Sequence, residues 1–277
     1  MHKILFLILL IISAIVWLAV VSVDNNLKVI ACDVGQGDAI LITHNFDQIL
    51  IDGGPDNKVL DCLGKYMPFW DRQIELVILT HPDTDHSGGL PEVFKRYSVN
   101  TFLTNDITQE QFSNKTIQVL AGEVGGKGIT VIHPSDTPAI RLGLIHLDIL
   151  HPSLGFTDKK TNNYSIATLL DYGQFEAIFT GDIEDAVSDL ISKKEKIQDV
   201  DYIKVPHHGS KNGLSEELLK VAKPEIGVIS VAAKNSYGHP HQEVLDLLQK
   251  YNVKVMRTDQ NGDAQLITDQ YKYWVKD

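Results

Sequence analysis

Apolar positions along the chain fall into distinct regimes. Residues 4–23 (ILFLILLIISAIVWLAVVSV) are uncharged throughout. At the helical rise such a run covers about 30 Å, the thickness of a bilayer's hydrocarbon core, and predicts one membrane-spanning helix. From residue 27 the pattern changes to short apolar runs punctuated by Gly, Asn and Asp. Residues 27–32, 39–43 and 48–51 read as strands, separated by the turns at 34–38 and around Asn45. Residues 58–67 and 91–96 read as helices, and 74–79 as an apolar strand buried on both faces. The middle section, 116–152, shows strand-like runs at 128–132 and 144–150. Further on, 165–170 and 176–180 form a hairpin pattern about Asp171-Tyr172-Gly173. Residues 184–193 and 215–222 read as helices, and 202–205 and 226–231 as buried strands. Residues 242–251 place Val244, Leu245, Leu247 and Leu248 at helical spacing, and β character returns at 253–256, 264–267 and 271–275. The pattern predicts a mixed α/β sandwich in two halves, one domain over 27–277 behind an N-terminal segment 1–26.

The N-terminal run exceeds the apolar core of a secretory signal, and no A-x-A tripeptide follows it; Val20-Val21-Ser22 is a weak cleavage site. It reads as an uncleaved anchor, with cleavage and secretion as the alternative. Lys3 precedes it, so the positive-inside rule predicts a single-pass cell-membrane protein with an extracytoplasmic domain and the membrane as a partner. A formal net charge of −11 argues against a broad basic surface for polyanions. Cys32 and Cys62 are too few for a disulfide framework, and their apolar surroundings predict free buried thiols.

Chemistry concentrates in Thr80-His81-Pro82-Asp83-Thr84-Asp85-His86-Ser87-Gly88-Gly89, directly after the 74–79 strand. Four ligand-type side chains, His81, Asp83, Asp85 and His86, fall within six residues of a strand's C-terminal end, the density that metal ions require. Helix capping would explain the carboxylates but not two histidines. A second group, Val205-Pro206-His207-His208-Gly209-Ser210, also follows a buried strand. Adjacent histidines point in different directions, so one reads as a ligand and the other as facing substrate or packing. Asp182 in Thr180-Gly181-Asp182 could bridge two metals or cap a helix, and Asp38 and Asp52 suit orientation of the histidines.

Taken together these motifs resemble a known family. His81-x-Asp83-x-Asp85-His86 is similar to the H-x-H-x-D-H signature of metallo-β-lactamase-fold hydrolases, with aspartate in place of the second histidine. Asp33-Val34-Gly35-Gln36-Gly37-Asp38-Ala39, Leu50-Ile51-Asp52-Gly53-Gly54, Thr180-Gly181-Asp182, Lys204-Val205-Pro206-His207-His208-Gly209-Ser210, Tyr237-Gly238-His239-Pro240-His241 and Thr258-Asp259-Gln260-Asn261-Gly262 resemble, in order, the C-terminal domain of ComEC competence proteins. The resemblance implies a metallo-β-lactamase-like αββα four-layer sandwich, here preceded by one transmembrane helix. It implies two divalent metal ions, manganese or zinc. His81 and Asp83 would serve one metal; Asp85, His86 and His207 would serve the other, with Asp182 bridging. The third histidine of the general pattern is missing from the comparable stretch, Thr161-Asn162-Asn163-Tyr164-Ser165. Asp85, His208 and His239 are the catalytic candidates, and Lys204, Ser210 and Lys234 the substrate-binding ones. The resemblance favours a phosphodiesterase or nuclease acting on single-stranded nucleic acid outside the membrane. The alternatives are a metallo-hydrolase of another ester, amide or thioester, or a non-catalytic module of the same fold.

Overall fold

In the computed structural model, residues 2–21, 25–106 and 114–276 are described. Two sheets face one another. The eight-stranded sheet runs β15-β14-β1-β2-β3-β4-β5-β6 and the seven-stranded sheet β13-β12-β11-β10-β9-β8-β7. The first holds β1 (Leu27–Ala31), β2 (Ile40–His44), β3 (Asp47–Ile51), β4 (Gln73–Leu79), β5 (Ser98–Thr104), β6 (Thr130–Ile132), β14 (Ala264–Thr268) and β15 (Tyr273–Lys276). The second holds β7 (Ala139–Leu142), β8 (Ile145–His151), β9 (Ala167–Tyr172), β10 (Phe175–Phe179), β11 (Tyr202–Lys204), β12 (Ile226–Ile229) and β13 (Lys254–Arg257).

Alternation along each strand divides the apolar side chains among three cores. Val29, Ile42, Ile49, Ile78, Leu147, Leu170 and Val228 pack between the sheets. Ile30, Leu41, Leu50 and Val77 face outward against α2 (Lys58–Tyr66), α4 (Leu90–Arg96) and α5 (Lys115–Gly126). Leu169, Ile178, Ile203 and Ile229 face α6 (Asp185–Ile191), α7 (Glu216–Ala222) and α8 (Gln242–Lys250) on the far side. Helix, sheet, sheet, helix is the four-layer sandwich expected. In each sheet a run of four strands reaching one edge is parallel: β3-β4-β5-β6 in the first and β10-β11-β12-β13 in the second. Their C-terminal ends open at one edge, and the loops that leave them build the site.

Two expectations are corrected. Among the described residues no helix is long and apolar enough to cross a membrane. The N-terminal helix α1 spans His2–Val21. The end of the apolar run, residues 22–23, lies outside the described residues. The single-pass anchor, the membrane as a partner and the extracytoplasmic cell-membrane location therefore lose their support. Second, Cys32 and Cys62 are joined as a disulfide rather than free, because the end of β1 and helix α2 bring their Cα atoms to 5.9 Å. Residues 115–126, to which the pattern assigned no element, form a helix; the Asn114 side chain accepts from Thr116 N at its start, and Ile117 and Leu120 are buried.

Candidate metal centre

Strand β4 delivers Thr80 and His81, and the chain then turns through α3 (Thr84–Ser87). Backbone N–H groups of His86 and Ser87 donate to the Asp83 carbonyl at 3.0 and 2.9 Å. The turn folds His81 back onto His86, ring centroids 4.1 Å apart. The loop carrying Asp38 lies directly against it, where Asp38 N donates to Asp85 O at 3.2 Å. Gly37 permits that approach: a Cβ there would sit 2.2 Å from the Asp85 carbonyl oxygen, and its φ of +143° disfavours any side chain.

The second sheet supplies the opposite wall. Leaving β10, Gly181 adopts φ +54° against Ser165, and Asp182 N donates to Ser165 Oγ at 3.0 Å. Leaving β11, Pro206–Gly209 form a tight 3-10 turn. In an extended chain adjacent side chains would diverge to opposite faces. Instead His207 (φ 51°, ψ 46°) and His208 (φ 53°, ψ 26°) are both left-handed, a conformation that costs about 1–2 kcal/mol for each non-glycine residue. The consequence is that both rings turn toward Asp182, His208 Nε2 at 3.3 Å and His207 Nε2 at 3.9 Å from Oδ2.

Asp85, His86, Asp182 and His208 each present one ligand atom within 4.8 Å of the others. His208 Nε2 lies 3.3 Å from Asp85 Oδ2, and His86 Nε2 lies 3.4 Å from Asp182 Oδ1 and 4.0 Å from Asp85 Oδ2. Two ligands each about 2.1 Å from one ion stand roughly 3.3–4 Å apart, so these spacings suit a shared cation. His86 Nε2, His208 Nε2 and Asp182 Oδ1 are also buried with no hydrogen-bond partner, a cost to the interior that a bound ligand would remove. The residues fit a metal. Beside them, His81 Nε2 and Asp83 Oδ2 stand 3.7 Å apart, with the Asp83 side chain half exposed and the imidazole sealed.

Hydrogen bonds on the other ring nitrogens aim these histidines. His86 Nδ1 donates to Asp52 Oδ2 at 2.7 Å, and His208 Nδ1 donates to the Ser230 carbonyl at 2.9 Å. His81 Nδ1 donates to Thr80 Oγ1 at 3.1 Å, and that hydroxyl donates to Asp52 Oδ2 at 2.7 Å. Asp52 thus orients two histidines, one directly and one through Thr80, leaving each Nε2 toward the site. Burial opposes charge on His86 and His208, but Asp182, with Asp52 beside one and Asp38 beside the other, outweighs it and raises both well above the usual imidazole range. Burial would raise Asp182, yet the same two histidines hold it well below the usual carboxylate range. Burial and the nearby His86 push His81 down to about 3.

The remaining expected residues separate clearly. Lys204 is fully buried and donates to Asp38 Oδ2, so it faces the interior and not a substrate. Ser210 is buried, and its N–H donates to His207 O at 2.8 Å, closing the histidine turn. Lys234 is exposed on the loop after β12. His239 stands at the rim, its ring 5.7 Å from that of His207 and stacked with Tyr237, and its buried Nδ1 lacks a partner. Burial and the neighbouring histidines push His239 down to about 4. The expected single-stranded nucleic-acid partner finds no support: Lys204 is consumed internally, and the chain carries a net charge of −11. Sequence reasoning missed Thr80, Ser165 and Ser230, which carry no ligand chemistry of their own, and Asn162, whose Nδ2 donates to His207 Nε2 at 3.2 Å.

The metallo-beta-lactamase superfamily model matches residues 32–233. The chain is similar to ComE operon protein 3 of Bacillus subtilis (strain 168), 30% identical over 261 residues, covering 87% of this chain and 32% of that protein. It therefore spans about a third of the length of this curated relative. Among solved structures it resembles the metallo-beta-lactamase fold protein YhfI from Bacillus subtilis, with TM-score 0.57 and 13% identity over 90% of this chain and all of that one. It also resembles CmlA, a diiron beta-hydroxylase from Streptomyces venezuelae, with TM-score 0.56 and 16% identity over 84% of this chain and 53% of that one. These structural likenesses speak to the fold. With a site that fits divalent ions, the chain belongs to the metallo-beta-lactamase superfamily and is a metal-dependent hydrolase.

Proposed function

We propose that this protein hydrolyses an ester, amide or thioester at a two-metal centre built from His81, Asp83, Asp85, His86, Asp182 and the His207-His208 pair. One observation carries the reading: His86 Nε2, His208 Nε2 and Asp182 Oδ1 are buried, unpartnered and convergent. When bound, divalent ions supply a water acidified toward neutrality and stabilise charge on the substrate oxygen. The chain's own residues hold that arrangement. Asp52 and the Ser230 carbonyl fix the imidazoles, and Asp182 faces both walls of the sandwich. The exposed Asp83 edge leaves an approach for substrate. His239, held neutral near pH 7, serves better as a proton acceptor or hydrogen-bond partner than as an acid. An acidic chain whose Lys204 is sealed in an ion pair suits a neutral carbonyl better than a polyanion.

A phosphodiester is the second reading, favoured by the open His81–Asp83 pair beside the closed cluster. Paired ions can stabilise both the attacking and the leaving oxygen of a phosphodiester. The donor set mixes three carboxylates with imidazoles, an oxygen-rich combination that supports manganese alongside zinc. The experiment is a panel of carboxyl ester, thioester, lactam and small phosphodiester, assayed on metal-stripped protein reconstituted with manganese or zinc and compared with Asp85→Ala. Turnover of a carbonyl substrate by the reconstituted wild type alone supports the first reading. Turnover confined to the phosphodiester replaces it with the second. Equal turnover by wild type and Asp85→Ala removes the metal centre from the reaction.

A further inference from the structure

A second concavity opens at the same edge of the sandwich as the metal centre. Strands β5 and β6 run parallel to β4, and β8 runs with β10 because both are antiparallel to β9, so all of them end at that edge. Residues 105–106, 133–135 and 152–156 leave β5, β6 and β8 and, with Tyr164, surround a cavity of about 170 Å³. Its wall is bonded to the residues that build the centre. Asn105 Nδ2 donates to the carbonyls of Tyr164 at 2.7 Å and of Thr80 at 3.3 Å, and Thr80 directly precedes His81. Tyr164 ends the 3-10 turn Thr161–Tyr164, whose Asn162 donates to His207 Nε2 at 3.2 Å. Two residues of chain reach at most about 7 Å, so one short turn serves both the cavity and the centre.

We propose that this cavity receives an aryl group of the substrate while the bond to be hydrolysed lies at the metal centre. The inference rests on the metal-hydrolase reading above and adds the substrate's apolar group to it. Three features carry it. First, the inner polar groups of the wall are engaged within the fold. Asn105 Nδ2 is held by two carbonyls, His133 Nδ1 donates to the Thr104 carbonyl at 2.8 Å, and Tyr164 OH donates to the Asp158 carbonyl at 3.2 Å. Asp106, Ser135 and Ser153 are exposed to water, so what the interior of the cavity offers a guest is hydrocarbon and ring surface. Second, the rings of Phe156 and Tyr164 stand 5.5 Å apart at 76° and form a corner. A third ring placed there meets the edge of one and the face of the other, the contacts aromatic groups prefer. Behind the corner His151 is fully buried, its ring 4.3 Å from Phe156 and its Nε2 donating to the Asn163 carbonyl at 2.7 Å, so the wall is built before a guest arrives. Third, the size suits one ring: an apolar cavity of about 150 Å³ holds benzene. Leu154, 83% exposed on the lip, is apolar surface that such a guest would cover.

The test uses the full-length chain loaded with manganese and reads binding as well as turnover. Benzyl acetate, methyl phenylacetate and methyl acetate are the substrates, the first two carrying the ring on opposite sides of the ester. Phenylacetate and acetate are the binding probes, followed by calorimetry and by broadening of the ring-proton resonances, with zinc-loaded protein as the diamagnetic reference. The variants are Leu154→Asp and Phe156→Ala, and Leu144→Asp in the turn between β7 and β8, at the opposite end of the sandwich, is the control. Because Leu154 is exposed, Leu154→Asp puts a charge on the lip without emptying the core, so it decides the matter where Phe156→Ala disturbs the loop. In wild type and Leu144→Asp one ring-bearing ester should exceed methyl acetate in kcat/KM by at least ~10-fold, and Leu154→Asp should remove that preference chiefly through KM. Phenylacetate should bind at least ~10-fold more tightly than acetate, its ring protons broadened by manganese and not by zinc. Ester turnover without preference for a ring, or with a preference unchanged in Leu154→Asp, overturns the proposal and leaves the hydrolase reading standing. Ring binding beside manganese that Leu154→Asp abolishes, with no ester turned over, supports the cavity and overturns ester hydrolysis. Phenylacetate bound without manganese broadening places the ring elsewhere and overturns the proposal, as does adenosine bound more tightly than phenylacetate, which gives the cavity to a nucleobase. Neither binding nor turnover overturns both.

Discussion

Lys204 and Asp38 form an ion pair sealed from solvent, joining β11 of one sheet to the loop that follows β1 of the other, and Asp38 Oδ1 reaches to 3.4 Å from His208 Nδ1. Burial would raise the Asp38 carboxyl, but Lys204 and then His208 hold it well below its ordinary range. The pair is thus a structural brace behind His208. Lys204→Met leaves a buried carboxylate without its partner and should cost about 3–5 kcal/mol, whereas Lys204→Met with Asp38→Leu should recover most of the loss. Because the Asp38 pKa is depressed on folding, its contribution is present above the unfolded value and fades as pH falls below it. Urea denaturation of metal-stripped protein reads the difference, and a single variant as stable as wild type would remove the brace from the account.

Asp52 should matter through the metal and not through the fold alone. It accepts from His86 Nδ1, Thr80 N and Thr80 Oγ1, so Asp52→Asn disturbs the aim of two histidines while keeping shape and volume. The expected result is a loss of about 10–100-fold in metal affinity with little change in secondary structure. Affinity equal to wild type would show that Asp52 serves only the packing between strands.

Metal binding should depend on pH in a definite direction. His86 and His208 are raised by Asp182, so in the metal-free protein they hold protons above the ordinary imidazole range. A cation must displace those protons, and affinity therefore rises with pH until both imidazoles are neutral and falls as pH drops below their raised values. Calorimetry at pH 7 in buffers of different ionisation enthalpy should show proton release. Asp182→Asn should reduce that release, since the raised pKa values depend on its charge. Binding with no proton release in the wild type would refute this picture.

The Cys32–Cys62 disulfide ties the end of β1 to helix α2, closing a sequence separation of 30. Loop-closure entropy for a span of this size amounts to about 3–4 kcal/mol. Cys62→Ser, or reduction of wild type, should lower the denaturation midpoint accordingly without changing metal stoichiometry. A wild-type midpoint indifferent to reductant would show that the bond contributes nothing to folding.

What could be read directly from the chain was periodic or locally dense. Alternating apolar runs and their turn residues marked most strands and outer helices, because burial on a pleated strand or amphipathic helix writes a period into the sequence. The cluster from His81 to His86 was legible because its members are close in sequence and rich in ligand chemistry. Asp182 stood out less, since one aspartate after a strand is equally a helix cap. Helix α5 escaped because its Gly-rich composition weakens helix propensity, and its packing on α4 and the Phe94–Phe102 layer is tertiary.

The tertiary structure alone decided how distant segments share the site. That Lys204 turns inward to Asp38, that Cys32 meets Cys62, and that Thr80 relays between His81 and Asp52 depend on contacts separated by up to 166 positions or on the path of a single turn. The two histidines show the limit most sharply. Their identity and adjacency are in the sequence, but adjacency on a regular strand sends side chains apart. Only the left-handed backbone at both residues, enforced by the packing of Gly209 against Pro240 and by the His207 N–H bond to the Gly181 carbonyl, turns them to the same aspartate. Sequence recorded which ligands were available, and the energy of the whole fold, large enough to hold two strained residues, decided where they point.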